Sequence, residues 1–501
     1  MDKQHVDLTR RRLMQGSAGL AAAPFVATLG MMTARSAEAQ TCERFTGMID
    51  SPYGPVAPVA DQATGLELLL LPAGFSYKSF GWTGDPMSNG QPCPGSHDGM
   101  AVVQQRRVGR STELILIRNH EIGNSTTRRL ATPGVPTYDA VLSGSGPAGG
   151  TTALVLRDGN LVDMYPTLAG TLTNCAGGPT PWGTWLSCEE NTTTRAGIPH
   201  GYVFDVDPDP ASTSGRPLRD MGRFRHEAVA VDPATMDAYQ TEDASPVSAL
   251  YRFVPNNATG TVGAYEDGGV LAAARIRHIV SGSASDVIQA NQIAFASPCF
   301  GDEYEIEWVE LPMPDAEPTT VNVLGTNRAV SGPFAQAWAL GCARMLRGEG
   351  IWYHAGKVYV VDTAAGGDGA VWELTLETQR IRCIYVSSTQ LAGNNVDNIA
   401  VSPRGGILCC EDGGQSPDPF GNGSRLFALA ADGRPYLFAK NNVVFSAAQA
   451  AAAGKSQGNT NQLGSEFCGA CWDPSGRILF VNIQSPGITF AITGPWAKGN
   501  L

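Results

Sequence analysis

The feature of this sequence that most constrains its fold is a sequence pattern that occurs three times. Each copy reads as a strand, a turn containing proline, and a second strand. Proline presets the backbone of a turn, and the small polar residue before it caps that turn. The copies are Ala228–Pro233 leading to Ala238–Glu242, Asn398–Pro403 leading to Glu411–Asp412, and Gly469–Pro474 leading to Asn482. In a β-propeller, a hairpin of this kind supplies the inner strands of one blade, so the repeat predicts a propeller.

The rest of the chain is also typical of an all-β protein. Short β-type runs recur from Glu113–Arg118 to Arg477–Asn482, and the 59 glycines and 33 prolines imply many turns. Helical periodicity is scarce, and Ala447–Ala453 is the best candidate helix. We predict an all-β protein, a β-propeller of about six blades with an irregular N-terminal segment and insertions. A pair of β-sandwiches is the alternative.

The first 39 residues have the features of an export signal. Three arginines at 10–12 precede an apolar run from about Gly16 to Met32, and Ala37–Ala39 form a small-residue cleavage site. Consecutive arginines before such a run are typical of the twin-arginine route. A membrane anchor is the alternative, but the run is short and rich in Gly and Ala. We expect a twin-arginine signal peptide at 1–39, recognised by the twin-arginine export machinery. Residues 40–501 would then form a single propeller catalytic domain that is periplasmic or secreted.

The charge of the chain argues against a nucleic-acid partner. Its 35 basic and 47 acidic residues give a net charge of −12, whereas phosphate backbones are bound by basic surfaces. An acidic protein that acts on an anionic substrate needs a positive group at its site. Bound metal ions would supply that charge.

Acidic residues recur at one end of the predicted hairpins, with few basic neighbours. Carboxylates that meet without cations repel one another and have raised pKa values. Calcium takes six to eight oxygen ligands, whereas a thiolate beside carboxylates suits iron better. A single acidic pair is more often solvated surface, so the interpretation depends on the recurrence. The clusters are Asn119-His120-Glu121, Cys188-Glu189-Glu190, His226-Glu227, Glu242-Asp243, Asp397, Glu411-Asp412 and Glu466.

The spacing of the eleven cysteines is not that of a disulfide framework. Their number is odd, Cys409 and Cys410 are adjacent, and Cys468–Cys471 is an isolated CxxC motif. No second CxxC or histidine pair completes a zinc site with it. We predict that the two cysteines of this motif are small buried side chains.

Several stretches of the sequence resemble the PhoX alkaline phosphatase family. The resemblance spans about residues 115–496, nearly the whole mature chain. The stretches that carry it are Arg118–Glu121, Asn174–Asn191, Gly222–Val231, Gly464–Gly469 and Leu479–Gln484.

The resemblance implies a monomeric propeller that hydrolyses small-molecule phosphate esters at iron (Fe³⁺) and calcium (Ca²⁺) ions bridged by an oxo group. Cys188 is the first candidate for the iron thiolate and Cys175 the second. Asn119, Arg344 and Arg347 are implied active-site residues, and an arginine there could clamp phosphate with two hydrogen bonds. The implied carboxylate ligands are Glu121, Glu189, Glu190, Glu227, Glu242, Asp243, Glu349, Asp397, Glu411, Asp412 and Glu466.

The sequence leaves two questions open. It does not show which member of an adjacent acidic pair faces the ions, because neighbours on a strand point opposite ways. The function also has two alternatives to a phosphomonoester hydrolase. One is another calcium-dependent propeller hydrolase that acts on lactones or phosphotriesters. The other is a non-catalytic propeller that binds a partner and uses metal ions only for stability.

Overall fold

The structure of the protein, a computed structural model, describes residues 42–141, 143–282, 292–414 and 418–501. Arg44–Leu501 belong to one compact unit. The predicted signal peptide at 1–39 lies outside the described residues. No helix within the described ranges is long and apolar enough to cross a bilayer.

The first three blades follow one another along the chain. Each is an antiparallel sheet whose first strand lies innermost. Blade 1 consists of His97–Val108, Ser111–His120, Gly149–Arg157 and Asn160–Thr171; blade 2 of Asn174–Pro179, Trp185–Glu189 and Val203–Val206; blade 3 of His226–Val231, Ala238–Glu242, Leu250–Pro255 and Gly269–Ser281.

Blade 4 is built from consecutive strands, whereas blades 5 and 6 take strands from both ends of the chain. Blade 4 consists of Gly348–His354, Lys357–Asp362, Ala370–Thr375 and Arg380–Val386. Blade 5 consists of Val396–Val401, Ile407–Glu411, Arg425–Leu429, Pro435–Asn441, Leu69–Pro72 and Val56–Val59. Blade 6 consists of Phe467–Trp472, Ile478–Ile483, Ile488–Thr493 and Ser76–Phe80. Because Ser76–Phe80 pairs with Ile488–Thr493, strand pairing between the two ends of the chain completes the ring.

The six innermost strands contact one another in order around the axis, and the innermost strand of blade 6 contacts that of blade 1. The prediction of an all-β propeller of about six blades is therefore confirmed. The three copies of the repeated sequence pattern form the inner and second strands of blades 3, 5 and 6. The predicted short helix is present at Ala447–Ala452, and Gly332–Ala339 is a second α-helix.

Insertions lie outside this ring. Strand Glu303–Glu310 pairs with both Gly269–Ser281 and Arg380–Val386, so it joins the outer edges of blades 3 and 4. The described residues also form short two-stranded ribbons and 3-10 turns. The ribbons are Asn124–Ser125 with Gly146–Pro147, Thr194–Arg195 with Ile198–Pro199, Thr319–Val323 with Thr326–Val330, and Val444–Phe445 with Thr460–Asn461. The turns are Pro210–Ser212, Arg219–Met221, Ala264–Asp267, Ala294–Ala296 and Trp496–Lys498.

Apolar side chains pack between neighbouring blades. Leu426 of blade 5 and Phe490 of blade 6 belong to one fully buried cluster, and Leu154 of blade 1 and Phe204 of blade 2 belong to another. Burying one such side chain stabilises the fold by about 1.5–3 kcal/mol. This packing fixes the blades against each other and thereby fixes where the ends of their inner strands meet.

Candidate metal centre

Each inner strand carries the same irregularity near its start. In blade 3, His226 pairs with Glu242 and Val229 with Gln240, so three steps on the inner strand match two on its neighbour. The register shifts in the same way at the start of the other five inner strands. A β-bulge of this kind re-aims a side chain. The residue that follows the last pair before this shift is, from blade 1 to blade 6, Asp98, Cys175, Glu227, Glu349, Asp397 and Gly469.

The sixth of these positions cannot carry a side chain. Gly469 has a φ of 61°, and a Cβ added to it would lie 2.5 Å from the carbonyl oxygen of Asp98. In blade 6 the acidic group comes instead from Glu466, just before the inner strand.

The second strands supply another set of donors. Their last paired residue faces the start of the inner strand, and the next residue points to the opposite side. In blades 1, 2 and 5 this next residue is Glu121, Glu190 or Asp412, and all three lie in the cluster of donors at the axis. In blades 3, 4 and 6 it is Asp243, Thr363 or Gln484.

The donor atoms from the inner and second strands form one continuous centre. Four groups each have ligand atoms within 4.8 Å of one another: Glu121, Cys175 and Glu190; Asp98, Glu121 and Glu466; Asp397, Asp412 and Glu466; and Glu227, Glu349 and Asp397. Neighbouring groups share Glu121, Glu466 or Asp397, so one or more cations at the axis could be held by several blades at once.

The electrostatics of this centre favour bound cations. Burial, with the nearby carboxylates as the second cause, raises the pKa of Glu121 to about 7 and the pKa values of Glu190 and Asp397 to about 8. The same causes raise the pKa values of Glu227 and Glu466 well above their usual range. Oε2 of Glu227 is buried without a hydrogen-bond partner among the described residues. Ionised carboxylates held this close are stabilised when cations lie between them.

Two arginines approach the centre from blades 3 and 4. Arg347 donates to Asp243 from Nε at 2.8 Å and from Nη2 at 3.0 Å, and its Nε lies 2.9 Å from Glu349 Oε1. Burial acts to lower the pKa of Arg347, but the carboxylates of Glu349 and Asp243 raise it above its usual value. Arg225 forms an ion pair with Glu190. Both arginines are therefore charged and stand beside the acidic cluster.

The structure brings seven of the predicted carboxylates into the cluster. It places Asp243 next to them, bound to Arg347 rather than within a group of donors. The seven are Glu121, Glu190, Glu227, Glu349, Asp397, Asp412 and Glu466.

The other three predicted carboxylates lie outside the cluster because protein groups already bind them. Glu189 accepts hydrogen bonds from the backbone N–H groups of Leu172 and Gly201 and is bonded to His200. Glu242 accepts a hydrogen bond of 2.6 Å from the hydroxyl of Tyr251.

Glu411 is the third of these carboxylates. It accepts hydrogen bonds from the Asn394 backbone N–H at 2.9 Å and from Arg425 Nε at 2.7 Å. In the pairs Glu189-Glu190 and Glu411-Asp412, therefore, the first residue anchors the blade and the second belongs to the donor cluster. In the pair Glu242-Asp243, the second residue binds Arg347.

The thiol in the cluster is that of Cys175 and not that of Cys188. Cys188 is fully buried in an apolar cluster with Leu186, Val203 and Phe224. Cys175 shares a donor group with Glu121 and Glu190. Burial and the neighbouring carboxylates raise the pKa of the Cys175 thiol well above its usual value.

The cysteines of the CxxC motif, Cys468 and Cys471, are both free and buried. The prediction that they are small buried side chains is confirmed.

Two predicted active-site residues have structural contacts instead. Arg344 donates from Nη1 to the carbonyl oxygen of Pro246 at 2.7 Å. Asn119 is fully buried and donates to the carbonyl oxygens of Cys175 and Ala176 at 3.0 and 2.7 Å. Its own oxygen accepts from Trp185 Nε1 at 2.9 Å. Asn119 is thus a positioning residue for the backbone that carries Cys175.

Asp98 and Gln484 also belong to the centre, and the sequence analysis did not identify them. Gln484 Nε2 donates to Glu121 Oε2 at 2.7 Å. A signal for Asp98 does exist, because Asp98–Val102 (DGMAV) has the same acid-x-apolar-Ala-Val pattern as Glu227–Val231 (EAVAV) and Asp397–Val401 (DNIAV). No Asp-Pro or Ser-Pro turn follows the first of these stretches, so its equivalence to the other two was missed.

The fold and the centre together define a class of protein: a six-bladed β-propeller with a carboxylate-rich candidate metal centre at its axis. A family model described as alkaline phosphatase PhoX matches residues 51–141 and 137–487. The chain therefore belongs to the PhoX alkaline phosphatase family, as the resemblance in its sequence implied. It is accordingly an alkaline phosphatase-like hydrolase, a phosphoric monoester hydrolase.

A solved structure supports this fold. PhoX from Pseudomonas fluorescens in complex with vanadate, a transition state analogue, is similar with a TM-score of 0.60 and 17% identity, covering 91% of this chain and 99% of that one. The PQQ domain of pyranose dehydrogenase from Coprinopsis cinerea has a TM-score of 0.27 and 10% identity, covering 85% of this chain and 97% of that one. None of the curated proteins matches the chain.

Proposed function

We propose that this chain hydrolyses small phosphate monoesters with calcium and iron ions held at the propeller axis. The observation that carries the proposal is the continuous centre of buried carboxylates with one thiol among them. Its donors fit the two metals, because calcium prefers several carboxylate oxygens and a thiolate suits iron. The raised pKa values of Glu190 and Asp397 support the same conclusion, since they mark negative charge that the protein itself does not balance.

The donor types divide the centre into two parts. Cys175, with Glu121 and Glu190, is the group that contains sulfur and would hold iron. The groups built only from oxygen donors, around Asp397 and Glu466, would hold calcium. When bound, the cations would neutralise the phosphoryl oxygens and polarise the phosphorus.

The protein contributes a fixed positive charge of its own. The guanidinium of Arg347 is oriented by two hydrogen bonds to Asp243. A planar guanidinium can donate two parallel hydrogen bonds to a phosphoryl group and stabilise the charge on its oxygens in the transition state. Since Asp243 fixes its orientation before substrate arrives, little reorganisation is needed when the phosphate binds.

We further propose that the chain is exported by the twin-arginine machinery and acts as a periplasmic or secreted monomer. The arginines at 10–12 and the short apolar run after them support this location. Folding before export would allow the metal centre to be loaded in the cytoplasm.

Turnover of p-nitrophenyl phosphate before and after chelation, with calcium and iron added back, tests the proposal. We expect activity to disappear on chelation and to return only when metal is restored. Activity that survives complete removal of the metals would contradict it. Lactones and phosphotriesters assayed in parallel distinguish the alternative hydrolases, and a folded, metal-bound chain without any turnover would indicate the non-catalytic alternative.

A further inference from the structure

A short motif, Arg-x-Glu, occurs at the same place in two neighbouring blades. Arg225 lies immediately before His226, the first paired residue of the inner strand of blade 3. Arg347 lies immediately before Gly348, the first paired residue in blade 4. Two residues after each arginine, Glu227 and Glu349 belong to the same group of donors. The two arginines therefore occupy equivalent positions in the propeller.

The other four blades have no cation at this position. Counted as the residue before the last pair that precedes the bulge, it is Ser96, Thr173, Asn395 or Phe467. The positive side chains at the starts of the inner strands are thus confined to blades 3 and 4. The groups of oxygen donors around Glu466 lie on the side of blades 1, 5 and 6. The fixed positive charge that these strand starts offer to an anion bound at the axis therefore comes from one side.

Arg225 and Arg347 are tied to the same carboxylate residue. Asp243 accepts two hydrogen bonds from the Arg347 side chain, and its backbone N–H donates to the carbonyl oxygen of Arg225 at 3.0 Å. Burial acts to lower the pKa of Arg225, but Glu190 and Asp243 raise it above its usual value. Asp243 therefore holds the starts of both inner strands together and orients the Arg347 side chain.

The Arg225 side chain has donors free for a ligand. It is 48% exposed, compared with 27% for Arg347. Among the described residues, its hydrogen bonding is confined to Nη2, which donates to Glu190. A guanidinium has five N–H donors, and a cation bound by Glu190 would compete for the carboxylate that now holds Arg225.

We propose that Arg225 is a second substrate-binding arginine, which together with Arg347 binds the non-bridging oxygens of the phosphoryl group, and that Asp243 is the positioning residue for the pair. This inference rests on the proposed function and extends it to substrate specificity. A phosphate monoester has three non-bridging oxygens and up to two negative charges, whereas a diester has two such oxygens and one charge. Two arginines beside a metal centre therefore favour monoesters over diesters.

The test uses the metal-loaded protein and the variants Arg225→Gln and Arg225→Lys. Arg434→Gln is the matched control, because Arg434 is 54% exposed and pairs with a single carboxylate, Asp432, elsewhere. Isothermal titration calorimetry with inorganic phosphate measures binding per metal-loaded site, and elemental analysis measures the metals. Kinetics with p-nitrophenyl phosphate and bis(p-nitrophenyl) phosphate measure selectivity.

We expect Arg225→Gln to weaken phosphate binding by about 10- to 100-fold, the value of a charged hydrogen bond. The KM for the monoester should rise more than kcat falls, and the preference for monoester over diester should shrink. Arg225→Lys should recover part of the affinity because it keeps the charge but not the fork of donors. Arg434→Gln should behave as the unchanged protein does.

Two results would overturn the inference. One is an unchanged phosphate affinity in Arg225→Gln with full metal content. The other is loss of metal from both Arg225 variants while the phosphate affinity of each metal-loaded site stays unchanged. That result would mean that Arg225 positions Glu190 and does not bind the substrate. Failure of the proposed function itself looks different, because the unsubstituted protein would then neither bind phosphate nor hydrolyse the monoester.

Discussion

At the ends of the second strands, two neighbouring sequence positions place acidic side chains in opposite surroundings. The last paired residue belongs to what we call the anchor layer, and the next residue belongs to the ligand layer. The anchor layer consists of Glu189, Glu242, Asp362 and Glu411, the last paired residues of their strands. Protein groups bind them, as when Asp362 accepts hydrogen bonds from the backbone N–H groups of Leu346 and Arg347. The ligand layer includes Glu121, Glu190 and Asp412, which are gathered around the axis with other acids. The same chemical group therefore stabilises the fold in one layer and is placed to bind a cation in the other.

The adjacent pair Glu411 and Asp412 offers the sharpest way to break this comparison. Asp412→Asn removes a charged donor from the centre, so we expect this variant to lose metal. Its activity should fall at least about 100-fold, because even residues that only orient metal ligands contribute 10- to 100-fold to metal affinity or activity. Glu411→Gln breaks a buried ion pair with Arg425, so we expect the free energy of unfolding to fall by about 3–5 kcal/mol. Its folded fraction should keep its metals. Elemental analysis, turnover and urea unfolding distinguish the two variants. Metal lost from Glu411→Gln and kept by Asp412→Asn would show that the two layers are assigned the wrong way round.

Cys175 and Cys188 allow the same comparison with a softer ligand, sulfur in place of oxygen. Cys175→Ser should remove iron and lower activity by about 10- to 100-fold. Cys188→Ser should keep its iron and lower the free energy of unfolding by about 1–3 kcal/mol, because a hydroxyl would be buried in an apolar cluster. Iron per chain and thermal unfolding are the measurements. Iron lost from Cys188→Ser alone would restore the first sequence-based candidate.

The pH dependence of stability is the smallest of these effects. In the metal-free protein, the raised pKa values of Glu121 (about 7), Glu190 (about 8) and Asp397 (about 8) mean that the folded state binds more protons than the unfolded state above pH ~4.5. Stability should therefore fall as the pH rises from there to about 8. The Tm of chelated protein followed across this range tests the sign, with the metal-loaded protein as the control. A Tm that rises with pH in the chelated protein would contradict it.

Much of the fold could be predicted because its signals are local. The Pro-containing turns of blades 3, 5 and 6 mark the hairpins directly, and Ala447–Ala452 forms a helix with a capping box at Ser446. Closure of blade 6 by Ser76–Phe80 could not be predicted, because pairing between distant segments leaves no local pattern.

The centre was predictable in kind but not in detail. Acidic pairs at strand ends indicated a metal site, yet the choice between Glu411 and Asp412 depends on which residue is the last to pair. The shared bulge, which turns Asp98 and Cys175 toward the axis, depends on strand register and is not visible in the sequence. Cys188 was preferred because it adjoins Glu189, but both of these residues lie behind the ligand layer.

Elemental analysis of the purified, folded chain tests the central claim most directly. If the ligand layer holds cations, iron and calcium should remain in stoichiometric amounts after gel filtration, and Asp412→Asn should lose them while Glu411→Gln keeps them. A folded, monodisperse protein that contains neither metal, with its carboxylates protonated or solvated instead, would contradict it.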